Sequence, residues 1–159
     1  YAMLGRMPGG STWAALEIAA GRVARDMQSQ EMANLTWAYA TLGWMPGDSM
    51  WAALETAARR VARNMNAQAV ATLTWAYAML GRMPGGSTWA ALEIAAGRVA
   101  RDMQSQEMAN LTWAYATLGW MPGDSMWAAL ETAARRVARN MNAQAVATLT
   151  WAYAMLGRM

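Results

Sequence analysis

The chain contains no histidine, cysteine, lysine or phenylalanine. Without His or Cys, the usual ligands of a zinc or copper site are missing, as are two of the commonest catalytic bases and nucleophiles. Without Lys there is no Schiff-base chemistry and no phosphate-loop lysine. Without Cys no disulfide can form, so the redox compartment leaves no trace. Long apolar runs are missing too. The longest, Val70–Leu80, has 11 residues and two threonines, about half of the roughly 20 that a membrane span needs. These absences point away from an enzyme, from any cofactor or metal, and from a membrane partner. Glu17 and Glu55 have no basic partner or metal motif beside them in sequence. The chain opens on Tyr1 in mid-pattern, as expected of a piece of a longer protein, and no targeting segment is visible in it.

What the chain has in quantity is repetition. It runs to 159 residues, 56% of them apolar, enough for a sizeable core. The pair Met-Pro recurs at Met7, Met45, Met83 and Met121, and residues 1–83 are identical to residues 77–159. Two kinds of 38-residue unit therefore alternate, over 7–44, 45–82, 83–120 and 121–158. Residues 1–6 read as the end of a preceding unit, and Met159 opens a further one. The whole of 1–159 is expected to be a single repeat array.

Each unit reads as two helices. The first is expected over Thr12–Met27, with Ser11 or Asp48 as its N-cap. Trp13, Leu16, Ala20, Val23, Ala24 and Met27 recur at the three- and four-residue steps of a buried stripe. The second starts near Gln28 or Asn66 and carries Met32, Leu35, Thr36, Tyr39 and Leu42, widened by Ala33, Trp37 and Ala40. Gly43 stands where a C-terminal glycine cap belongs, and Pro46 forbids continuation. The segment Gly5–Thr12 has the glycine spacing of a phosphate loop, but Ser11 replaces the lysine and the segment joins two helices instead of strand to helix. It reads as a hinge between units. Such hairpins cover their apolar faces only by stacking, so the expected fold is all-α: an α-solenoid of stacked antiparallel helical hairpins.

On a helical wheel the arc opposite the first stripe gathers ten of the 13 arginines: Arg22, Arg25, Arg59, Arg60, Arg63, Arg98, Arg101, Arg135, Arg136 and Arg139. Stacking would line them up as a ribbon that could neutralise phosphates. Asp26, Asn64, Asp102 and Asn140 sit at its edge, where they could reach base edges. Glu17 and Glu55 sit toward the buried side. Trp13, Trp37 and their copies fall beside core positions, whereas Trp44 and Trp120 lie in the connecting turn. There each could stack on a base or staple one unit to the next. The two kinds of unit differ at 12 of 38 positions. Apart from Met32/Val70, these read as helix ends or outward arcs, as in a modular reader or on a drifting surface.

The string Gln30–Pro46, with its 38-residue period, resembles the octotricopeptide repeat, whose core reads Q-E-L-A-N-x-x-W-A-x-A-x-L-G before a proline turn. Gln30, Ala33, Leu35, Trp37, Ala38, Ala40, Leu42 and Gly43 carry the likeness, as do Gln68, Ala71, Leu73, Trp75, Ala76, Ala78, Leu80 and Gly81. Thr36 and Thr74 replace an aliphatic residue, and Ala69 and Thr72 replace the family's E and N. The resemblance implies a solenoid that binds single-stranded RNA in chloroplasts or mitochondria and governs transcript stability, processing or translation. If one repeat addresses one nucleotide, as in related repeats, alternating units imply a target of two-nucleotide period. The rival reading is a scaffold for protein partners. Neither end carries a polar cap, so end-to-end self-association is a further expectation.

Overall fold

The computed structural model describes residues 9–157. Residues 1–8, Arg158 and Met159, and with them the preceding stub and the first Met-Pro pair, lie outside the described residues. Within them the chain is all-helical, and neighbouring helices pack in sequence order. The eight helices are α1 (Gly10–Val23), α2 (Ser29–Leu42), α3 (Asp48–Val61), α4 (Ala67–Leu80), α5 (Gly86–Val99), α6 (Ser105–Leu118), α7 (Asp124–Val137) and α8 (Ala143–Leu156). Each hairpin breaks between its two helices through a three-residue 3₁₀ turn, such as Ala24–Asp26 or Ala62–Asn64.

The first helices begin and end earlier than their sequence suggests. The N-cap is Gly9 or Gly47, so Asp48 is already the first helical residue and Ser11 lies inside. Neither caps by its side chain, and Asp48 acts only as an acid in the first turn. At the other end the α-helix stops at Val23 or Val61 rather than at Met27. The 3₁₀ turn then leads into an extended methionine (φ −71°, ψ 138° at Met65). That change of course drives Met65 and Met103 into the core, where a continued helix would not have aimed them.

The second helix starts where expected, and the two kinds of unit cap it differently. Asn66 Oδ1 accepts from the Ala69 N–H at 2.8 Å. In the other unit Glu31 and Glu107 reach back to the N–H groups of Gln28 and Gln104, at 3.4 and 3.0 Å. Gln28/Asn66 and Glu31/Ala69 are thus two solutions to one capping problem. Gly43, Gly81 and Gly119 close the second helices at φ near +70°, a conformation that glycine adopts without strain.

One core runs the length of the described chain, from Met32 to Leu156. α2, α4, α6 and α8 pack side by side in a tight row, while α1, α3, α5 and α7 meet each other sparsely. Small residues such as Ala33, Ala71 and Ala109 are buried on the tight row. Buried Thr36, Thr74 and Thr112 satisfy their hydroxyls on the carbonyls of Met32, Val70 and Met108, four residues back. Threonine at this position therefore keeps the helix surface slim without an orphan polar group. The expected first-helix stripe is sealed in the interior hairpins, with Leu54 and Val61 buried.

Candidate nucleic-acid interface

The sparse packing of the first helices opens clefts between them. The cleft between α3 and α5, about 480 Å³, is lined by Arg59, Arg60, Arg63, Ile94 and Arg98. The next, between α5 and α7, is about 630 Å³ and holds Arg98, Arg101, Thr132 and Arg136. All ten arginines of the expected ribbon are exposed. Among the described residues one ion pair forms, Arg135 with Glu131 at 3.9 Å, one helical turn apart and largely in solvent. A pair of that kind contributes roughly 0.5 kcal/mol.

The arginines are nevertheless not equivalent. Arg60 Nη2 donates to the carbonyls of Ala24 and Met27 at 3.2 and 2.6 Å. Arg98 makes the same pair of bonds to Ala62 and Met65, and Arg136 to Ala100 and Met103. The alanine carbonyls already accept the methionine N–H that closes the 3₁₀ turn of the preceding hairpin, and the guanidinium uses their second lone pair together with the methionine carbonyl. Each guanidinium has five N–H groups, so bracing one nitrogen leaves most of the fork facing outward. Arg59 donates to Thr88 of the following hairpin at 2.8 Å and to Thr56 at 3.3 Å. Arg25, Arg63, Arg101 and Arg139, on the 3₁₀ turns, make no hydrogen bond or ion pair among the described residues. Sequence reasoning grouped the ten as one ribbon. The braces went unseen because each joins residues 33 or 36 apart.

Asp26, Asn64, Asp102 and Asn140 stand exposed at the ends of the 3₁₀ turns. Asn64 and Asp102 share a cleft of about 440 Å³ with Gln68 and Arg98. Trp44 and Trp120 pack against the first helix of their own unit. Trp44 lies 5.7 Å from Trp13 of its own unit, and Trp120 lies 5.9 Å from Trp89. Arg82 fills the same place over Trp51, its guanidinium 4.2 Å from the ring centre. The connector residue thus folds back as a lid on its own first helix, and 46% of Trp44 and 44% of Trp120 remain exposed. Trp37, Trp75 and Trp113 are only half-buried, in contrast to the core role their spacing suggested.

Each first-helix tryptophan also meets a tyrosine of its own second helix edge-on, as Trp51 meets Tyr77 at 5.5 Å. Burial raises the phenols of Tyr39, Tyr77, Tyr115 and Tyr153 well above the usual 10.0, and Glu17, Glu55, Glu93 and Glu131 beside them push the same way. The glutamates also tie hairpins together. Glu55 accepts from the Gly85 N–H at 2.6 Å and Glu93 from Gly123 at 3.3 Å, whereas Glu17 takes the Tyr39 hydroxyl at 3.0 Å.

Several of the twelve differing positions are not outward at all. Met50 and Thr88 are buried, as are Ala67 and Ala69. Among the described residues no cluster of three or more acidic side chains could hold a metal ion, and no helix is long and apolar enough to cross a membrane. No known family model matches the chain, and no curated protein matches it.

Proposed function

We propose that the chain is an α-solenoid of the octotricopeptide kind that binds single-stranded RNA along the arginine-lined clefts of its first helices. It acts by binding alone, in the control of transcript stability, processing or translation in a chloroplast or mitochondrion. One observation carries the reading: guanidinium groups held in register by inter-hairpin braces and lining clefts, with a single ion pair, Arg135–Glu131, among the described residues. Arg25, Arg63, Arg101 and Arg139 are free to take phosphates, and the braced arginines add the field around them. Asp26, Asn64, Asp102 and Asn140 are the base-selecting residues, and the open faces of Trp44 and Trp120 offer stacking surface.

Filter binding of labelled single-stranded RNA and DNA across a salt series tests this. For a single strand the slope of log K against log salt is about −0.7 per phosphate contacted, so the four arginines of the 3₁₀ turns give about −3 and all ten about −7. Arg63→Ala should flatten the slope by about 0.7. Salt-independent binding would remove the phosphate contacts, and a randomised RNA pool that enriches no dinucleotide repeat would remove the base-selecting role. A protein-scaffold reading draws on Ile18 and Ile94, 73% and 75% exposed on the same side. It predicts indifference to RNA in the same assay.

A further inference from the structure

The cleft between α5 and α7 has two halves of different chemistry. One half, about 430 Å³, is lined by Glu93, Ile94, Gly97, Ser125, Met126 and Ala129 with their neighbours. The other is the arginine half of Arg98, Arg101 and Arg136. Gly97 and Ala129 line both, so the halves are continuous. Between Glu93 and Arg98 the helix rises about 8 Å.

Gly97 makes the first half possible. A Cβ there would stand 3.9 Å from the Met126 sulfur, so the bare backbone leaves the groove open down to that buried methionine. Exposed Ile94 forms a side wall. At the junction of α3 and α5 the same positions are Arg59, Thr88 and Thr56, and Arg59 lies across the groove to Thr88 at 2.8 Å. The carboxylates differ too. Glu55 is drawn onto the Gly85 N–H at 2.6 Å, whereas Glu93 meets the Gly123 N–H at 3.3 Å. A carboxylate has about four lone-pair sites, so Glu93 keeps most of its accepting capacity for a guest.

A guest that fills both halves carries an anion at one end and a flat ring edged with N–H donors at the other. A nucleotide has that constitution. The methionine sulfur and the isoleucine suit the ring, and the guanidinium groups suit the phosphate. Among the bases, guanine presents two adjacent donors, N1–H and the 2-amino group, which a carboxylate accepts as a pair. Adenine and cytosine set one amino group beside an acceptor nitrogen. Uracil sets one N–H between two carbonyls that a carboxylate repels.

We propose that this cleft holds one guanine nucleotide of the bound strand, its base in the Glu93 half and its phosphate among Arg98, Arg101 and Arg136. Resting on RNA binding by the arginine clefts, this position reads a base apart from the 3₁₀ turns. The junction of α1 and α3 repeats the same letters, with Glu17 on the Tyr39 hydroxyl, so both junctions are changed together in the test.

Filter binding of short RNAs to the full chain provides it: an all-uridine octamer, and the same octamer with one central guanosine, inosine or adenosine. Guanosine should tighten binding about tenfold over all-uridine, the low end for one bidentate pair. Inosine, which lacks the 2-amino group, should forfeit most of that gain and adenosine all of it. Glu93→Gln with Glu17→Gln should abolish the preference while all-uridine RNA binds as well or better, because negative charge leaves the neighbourhood of the phosphate. Gly97→Arg with Met126→Thr, joined by Gly21→Arg with Met50→Thr, installs the other kind of junction and should give the same result, circular dichroism confirming the fold. A parent chain that binds every RNA alike, or glutamine variants that keep the guanosine preference, would overturn the pocket and leave the phosphate contacts standing. Uptake of labelled GMP in equilibrium dialysis without binding of any RNA would support the pocket and overturn the strand as its source. Binding of neither would overturn both.

Discussion

The junction between the first and second hairpins and the junction between the second and third share one core but have different rims. At the first, Gly21 faces Met50, whose sulfur lies 4.0 Å from where a Cβ on that glycine would be, and Gly97 faces Met126 in the same way. At the second, the glycine becomes Arg59 and the methionine becomes Thr88, joined at 2.8 Å. The swap is paired: small against large and apolar at one junction, long and charged against a short hydroxyl at the next. The alternation of units therefore serves packing before it serves any ligand. Four of the twelve differing positions fall into two such matched pairs, the junction rim and the second-helix cap.

The largest perturbation should erase both junctions together. Folding holds the buried tyrosines neutral with raised pKa values, about 12 for Tyr153. Their contribution is thus intact below pH 10 and is lost as pH rises past it toward the folded-state values. No His, Cys or Lys is present to titrate between the carboxylate and tyrosine ranges. Stability should be flat through neutrality and collapse in alkali, phenolate absorbance rising with the loss of helical circular dichroism. Phenolate that appears well before helix is lost would contradict this.

Smaller changes should separate the shared from the distinct. Arg98→Ala removes the brace common to all junctions and should cost about 1–2 kcal/mol in urea unfolding, at the low end for a charge-assisted bond because the site is open to water. Arg60→Ala and Arg136→Ala should match it. Asn66→Ala should cost about 1 kcal/mol, and Ala69→Glu with Asn66→Gln should recover most of that by installing the other unit's cap. The smallest effect is a double-mutant cycle. Arg59→Ala with Thr88→Ala should show about 0.5–1 kcal/mol of coupling. No coupling would dissolve the distinction between rims.

Much of this was legible in the sequence. The 38-residue period fixed the hairpins, and the three-four spacing of Leu54, Ala58 and Val61 marked a stripe that is buried wherever a neighbour covers it. Gly43 announced its own left-handed turn. What escaped was of two sorts. Helix ends depend on a backbone change of course at Val23 and Met27, where no glycine or proline signals it. The braces, the Arg59–Thr88 contact and the lid of Trp44 on Trp13 join residues about a unit apart, and a single-helix wheel treats such residues as independent. It therefore grouped Arg98 with Arg101 as equals, although one is braced and the other is free.

A clasp that closes on main-chain oxygen has a further consequence. No substitution at Ala62 or Met65 can delete the acceptors of Arg98, because every amino acid brings the same carbonyl. The pitch of the stack is thereby insulated from mutation on one side of every seam. The exposed letters of each turn, such as Arg63 and Asn64, can change while the ruler they are mounted on keeps its spacing.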